Sequence, residues 1–182
     1  MGETMSRAIQ SVTYEKGELR IAGGTERYIL IPLRAYAAII EGMRKLVGEG
    51  AGGALYFVGR MIGRGLVEEI LRRMDEKSLE RNVENVIKTY VQFLEELGFG
   101  KIEILEIGTD HAKIKMYSPP SMVGLKIIVG EIKAVGGHVC HLERGMIAAV
   151  FEEVLKRPYR GVEVEHGTYE DPYCTIVVEP AR

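Results

Sequence analysis

The order of patterns along these 182 residues predicts an α+β domain, a helical layer packed on a mainly antiparallel sheet. Two observations carry this expectation. Strand-like and helix-like stretches are segregated, running strands, three helices, hairpin, irregular helix, helix, hairpin, instead of alternating as βαβ units. In the hairpin strand "HAKIKMY", Ala112, Ile114 and Met116 alternate with His111, Lys113, Lys115 and Tyr117, as in a sheet with one wet face.

Residues 12–31 read as short strands turned at Lys16-Gly17 and Gly23-Gly24, ending in the apolar run 28–31. Pro32 suits the first position of a helix, and apolar residues at 33, 36, 39, 40, 43 and 47 continue it to Gly48. A second helix carries Leu55, Val58, Ile62, Leu66, Ile70 and Met74. Its Gly59 and Gly63, four apart, invite close approach by another backbone. Ser78 is the expected N-cap of a third helix, with Val83, Val86, Ile87, Tyr90, Leu94 and Leu97 as its buried stripe. "KIEILEI" and "HAKIKMY" form a hairpin across Gly108-Thr109-Asp110. Glycines interrupt the helical spacing over 122–137. A helix over about 139–157 ends before Pro158, and "GVEVEH" and "PYCTIVVE" close the chain as a hairpin.

Neither a repeat nor an interdomain linker divides the chain. It reads as a single domain, 1–182, with N-terminal strands 1–31, a helical half 32–98 and a sheet-bearing half 99–182. With 46% apolar and 27% charged residues it has the make-up of a globular protein. A net charge of −2 gives no global basis for direct nucleic-acid binding; only Arg60, Arg64, Arg72 and Arg73 approach a basic patch. The absence of a membrane-length apolar run or a secretion signal leads to a cytoplasmic expectation with no membrane role. Lysine-bearing phosphate loops, dinucleotide fingerprints and catalytic triads are not recognisable, so catalysis is not the expected function.

The chemistry-bearing stretch is "HVCHLERG", residues 138–145. Only Cys140 and Cys174 supply sulfur, the first at a helix start and the second in the last strand. With His166 at the final turn and Glu163 as a fourth donor they would suit Zn²⁺, which accepts thiolate, imidazole and carboxylate. Two buried inert thiols or a disulfide fit the same residues, since no short Cys-x-x-Cys spacing is present. Glu163 and His166, three apart, would point to opposite faces of a regular strand, so the metal reading requires a bulge near Glu165. His141 lies about 100 degrees around the helix from Cys140 and is expected at the surface or behind a ligand. Glu143 is expected at the surface, and His138 is the substitute donor should Glu163 face away.

These positions resemble the 4-vinyl reductase domain family, found in bacteriochlorophyll-biosynthesis proteins, archaeal small-molecule-binding proteins and sensory regions of aromatic-responsive activators. That family has a cysteine-led helix, a strand with Glu-x-x-Cys-x-x-x-Gly and a final strand cysteine. Cys140 with Gly145, Glu163 and Cys174 match, while His166 stands where cysteine is usual and Gly167 follows it directly. "LYFVGRMIGRG" resembles the glycine-patterned helix of its N-terminal half. The resemblance implies zinc held by Cys140, Glu163, His166 and Cys174 in the C-terminal half. It also implies a fold similar to subunits of the vesicle-tethering TRAPP complex and a site for a small apolar or aromatic ligand. The expected lining residues are Tyr56, Phe57, Arg60, Met61, Arg64, Tyr90, Phe93, Tyr117 and Met122. The leading expectation is a zinc-stabilised small-molecule-binding or sensing domain. A homodimeric interaction module using the Gly59/Gly63 helix face, and a reductase-like enzyme of tetrapyrrole metabolism, are the alternatives.

Overall fold

A computed structural model describes residues 12–21, 26–130, 138–168 and 170–181. Strands β1 (Val12–Glu15) and β2 (Glu18–Ile21) form a separate antiparallel hairpin. Of the apolar run 28–31, only Tyr28 pairs, through a single bridge to Leu19. Ile29 and Leu30 are exposed and in no strand, because no neighbour among the described residues offers them a ladder.

Helix α1 (Leu33–Val47) has Pro32 as its N-cap, with the Pro32 carbonyl accepting from Ala35 and Tyr36. A 3₁₀ turn at Gly48–Gly50 leads into α2 (Ala51–Glu76). Helix α3 (Val83–Glu96) is capped by Asn82, whose side chain accepts from the Asn85 amide at 2.9 Å. Ser78, the expected cap, lies instead in the turn after α2, and its amide donates to Asp75. Strands β3 (Lys101–Ile107) and β4 (Ala112–Tyr117) form the expected hairpin. The first part of the irregular stretch becomes α4 (Pro120–Val129), stopped by Gly130 in a left-handed conformation; 131–137 lie outside the described residues. Helix α5 (His141–Leu155), β5 (Tyr159–His166) and β6 (Tyr173–Pro180) complete the chain. No helix among the described residues is long and apolar enough to cross a membrane.

The four later strands form one antiparallel sheet in the order β3-β4-β6-β5. Helix α5 contacts β5 and β6 on one side and α2 on the other. Its sequence from Leu142 to Phe151 is nearly all apolar or small, and a helix apolar on every side must be buried on every side.

Glycine sets the approach of α2. A Cβ on Gly59 would lie 2.9 Å from the carbonyl carbon and Cα of Leu142, and closer still to its oxygen. A Cβ on Gly63 would lie 2.8 Å from the Met146 Cα. The Gly59/Gly63 face is therefore occupied within the chain by α5, which corrects the expectation that it serves a homodimer.

Candidate functional site

Cys140 is the N-cap of α5, and Cys174 lies on β6. Both are free, fully buried and in hydrogen-bond contact through their side chains. Burial pushes both thiols above their ordinary range. Glu163 is buried beside them. Its carboxylate accepts from the Val139 amide at 3.1 Å and from the Cys140 amide at 2.6 Å, satisfying backbone donors at the start of α5.

The expected bulge is present at Val164. Glu163 pairs with Ile176, Glu165 with Thr175 and His166 with Cys174, so one extra residue shifts the register between Glu163 and Glu165. Directly opposed residues in an antiparallel pair share a face. Glu163 and His166 are thereby placed on the face of Ile176 and Cys174. The His166 ring is exposed, with Nδ1 3.0 Å from the Gly167 carbonyl oxygen. His138, Glu163, Val164, Glu165 and His166 line a recess of about 260 Å³. Among the described residues, no three His, Cys, Asp or Glu side chains stand close enough together to hold a metal.

The nine residues expected to line a ligand site fall in different places. Tyr90, Phe93 and Met122 are core residues. Tyr56 is half-buried; its hydroxyl accepts from the Gly161 amide at 3.3 Å, and the Arg144 guanidinium lies over its ring. Arg60 donates to Glu152 at 2.7 Å and to the Tyr159 carbonyl at 3.2 Å, while Arg64 pairs with Glu152 and Glu153. Both arginines thus join α2 to the α5–β5 region. Phe57 and Met61 are 62% and 52% exposed. Tyr117 donates to Glu103 at 2.9 Å on the outer sheet face, with Lys115 over its ring.

Glu143 is buried, which corrects its expected surface placement; His141, expected at the surface or behind a ligand, is buried too. The His141 Nδ1 stands 2.8 Å from an Arg144 nitrogen, and its ring packs against Gly52. Glu143 is only 1% exposed. It accepts from the Ser121 hydroxyl at 2.7 Å and the Ser121 amide at 3.1 Å, with the Tyr36 hydroxyl at 3.5 Å. The Tyr90 hydroxyl, also buried, has no hydrogen-bond partner among the described residues. Burial, then the nearby Glu143 charge, raises the pKa of both Tyr90 and Tyr36. Burial likewise pushes the Glu143 carboxyl up, opposed by its Ser121 hydrogen bonds and reinforced by Glu163. Four helices, α1, α3, α4 and α5, thus bring Tyr36, Tyr90, Ser121 and Glu143 to one polar cluster inside the core. The signal for Glu143 was available in its neighbours: a carboxyl on a helix apolar all round has no surface to reach.

No family model matches the chain. An uncharacterized protein of Methanocaldococcus jannaschii is 27% identical over 152 residues, covering 82% of this chain and 76% of that protein. The phenol-responsive sensory domain of the transcription activator PoxR, solved with phenol, superposes with a TM-score of 0.77 at 16% identity, covering 97% of this chain and 88% of its own. Subunit 3 of the trafficking protein particle complex from Naegleria fowleri, covalently bound to palmitic acid, gives 0.56 at 14% identity over 82% of this chain and 95% of its own. A vinyl-4-reductase family protein from Methanocaldococcus jannaschii gives 0.50 at 20% identity over 85% of each. The α+β fold is thus distantly related to the vinyl-4-reductase and TRAPP-like families.

Proposed function

We propose that this chain is a cytoplasmic, non-catalytic domain that binds or senses a small apolar or aromatic molecule, with its closing hairpin clasped to α5 by zinc. The carrying observation is the buried Tyr90 hydroxyl without a partner among the described residues, placed near Glu143 in an otherwise apolar core. A polar group left unmatched inside a protein is costly unless something completes it, and a ligand's polar end would do so. The fold shared with a phenol-responsive sensory domain supports this reading.

Cys140, Glu163, His166 and Cys174 would hold the zinc. The donor types suit it, the thiols touch, and the Val164 bulge gives Glu163, His166 and Cys174 one face. To complete the set, His166 must turn from the Gly167 carbonyl and the Glu163 carboxylate must shift from the Val139 and Cys140 amides. A closed four-donor zinc supplies a cross-link, joining the α5 start to the final hairpin.

Two measurements test the reading. Protein prepared without chelator is expected to carry about one zinc per chain, and the Cys174→Ser variant to lose most of it. Wild-type metal content below about 0.2 per chain would remove the clasp. A screen of small aromatic and apolar compounds by thermal shift is expected to find stabilising binders. A screen with no binder, together with no retained molecule in native mass spectrometry, would remove the ligand function.

A homodimer through the outward face of α2 is a second reading. Phe57 and Met61, one turn apart on the side away from Gly59 and Gly63, favour it. Met61→Asp would convert such a dimer to monomer in light scattering; a wild-type monomer at working concentration would exclude it.

A further inference from the structure

We infer that the recess beside the Val164 bulge is a loading site for a divalent cation, where His138 and His166 capture the ion and Glu163 passes it inward to the thiols. This rests on the zinc clasp proposed above and gives it a route of assembly. A buried metal site needs a path to its donors as well as the donors themselves. Cys140 and Cys174 are both 0% exposed, so a hydrated cation cannot meet them directly. Crossing the apolar core would strip its water with nothing in exchange. The sheet shows where polar groups lead inward. Cys174 is opposed by buried Met116 on β4 and by exposed His166 on β5. Strand β5 is an edge of the β3-β4-β6-β5 sheet, so its side of Cys174 is the one that opens to water.

The recess of about 260 Å³ lies on that edge, lined by His138, Glu163, Val164, Glu165 and His166. Glu163 is the one buried residue of this lining. Its carboxylate accepts from the Cys140 amide at 2.6 Å, so it reaches from the recess to the residue that carries the first thiol. His138 stands two residues before Cys140 and is left over by the four-donor set. Its ring meets that of His141 edge-on, centroids 6.1 Å apart, which holds it beside the recess. Two imidazoles and two carboxylates thus stand on the water side of two interior thiols. Carboxylates in a cleft raise the local concentration of cations, and imidazole is a good donor to Zn²⁺. His138 acts only in passage, because Cys140, Glu163, His166 and Cys174 then fill the four positions. A group of this kind speeds uptake and release by one factor, which cancels in the equilibrium constant.

The test is kinetic and uses the full chain. Stopped-flow mixing of chelator-stripped protein with Zn²⁺ or Co²⁺ reads uptake, and transfer of bound metal to a saturating coloured chelator reads release. His138→Ala is expected to slow both by at least about fivefold and to leave Kd within about twofold. Val164 is 52% exposed, and Val164→Trp fills the recess from its outer side without touching a donor. It is expected to slow both rates in the same way, and it decides if His138→Ala fails to fold. Unchanged rates in either folded variant overturn the inference and leave the clasp standing. So does a loss of equilibrium affinity of about 10–100-fold in His138→Ala, which would mark a support of the ligands instead of a carrier. A wild-type chain that takes up no metal overturns both readings.

Discussion

Gly59→Ala and Gly65→Ala, two substitutions on one helix, measure how closely α2 and α5 are packed. Both replace glycine inside α2, so each gains about 0.8–1 kcal/mol of helix propensity. The gain cancels in their difference. A Cβ at Gly65 meets nothing within 4 Å, whereas one at Gly59 comes to 2.9 Å from the backbone of Leu142, against ordinary carbon contacts of about 3.5–4.0 Å. The obstacle is main chain of a buried helix and cannot swing aside as a side chain could. Overpacking of this kind costs about 1–3 kcal/mol. Gly65→Ala is therefore expected to be more stable than wild type, and Gly59→Ala to lie about 1–3 kcal/mol below Gly65→Ala. For a chain of this length that separates their midpoints by roughly 2–12 °C. Thermal and urea unfolding followed by circular dichroism read the difference. Coincident midpoints would show that α5 does not press on α2, and the central position assigned to α5 would fail with it.

Glu143→Gln tests the buried carboxyl through pH. Its folded pKa is raised by burial, so the native state holds the proton more firmly than the unfolded chain. That contribution to stability is full below the unfolded value of about 4.5 and is lost as pH rises through the folded value. Stability of Glu143→Gln relative to wild type should therefore rise across that window in urea titrations; a constant difference would refute the assignment. Arg60→Ala should cost about 1 kcal/mol in urea unfolding, by breaking the links to Glu152 and the Tyr159 carbonyl, and leave the affinity of compounds found in the thermal-shift screen unchanged. A selective loss of their binding would return Arg60 to the ligand site. Deleting Val164 straightens the strand yet leaves Glu163 and His166 two apart, still on the face of Cys174, so a folded deletion should keep its zinc. Loss of zinc from a folded deletion would contradict the four-donor clasp. Stripping the metal should weaken ligand binding by the same factor by which ligand strengthens metal binding; affinities independent of each other would refute coupling through α5.

The elements legible in the sequence were those whose stabilisation is local. The apolar spacing of α1 and the alternation in β4 follow from helix and strand periods, and both appear where those periods place them. What stayed hidden depended on distant partners. The run 28–31 has β-branched residues but, beyond the bridge from Tyr28 to Leu19, no strand among the described residues to pair with. Ser78 and Asn82 are both good caps, and the choice depends on how the chain leaves α2. Gly59 and Gly63 announced a close backbone without saying whose. Residue type marked Tyr90, Phe93, Tyr117 and Met61 alike as ligand candidates, while their separation into core, outer sheet face and exposed helix face is set by tertiary packing. The bulge was legible for a different reason. Covalent geometry allows residues three apart in a strand to share a face only if an extra residue intervenes, so the proposed donor set itself required it.

Helix α5 joins the two halves of this reading. Cys140 caps it and Glu143 follows three residues later, so the proposed metal donor and the buried acceptor lie within about one turn. That turn has little freedom of its own. Glu163 holds its first amides, Ser121 holds Glu143 from α4, and the backbone of Leu142 rests on Gly59. A ligand lodged near Tyr90 and Glu143 would therefore press on the segment that presents Cys140 to Cys174, and a cation gathering the thiols would fix the segment that presents Glu143. A polar end of a ligand and a zinc clasp would act here as two restraints on one helical turn.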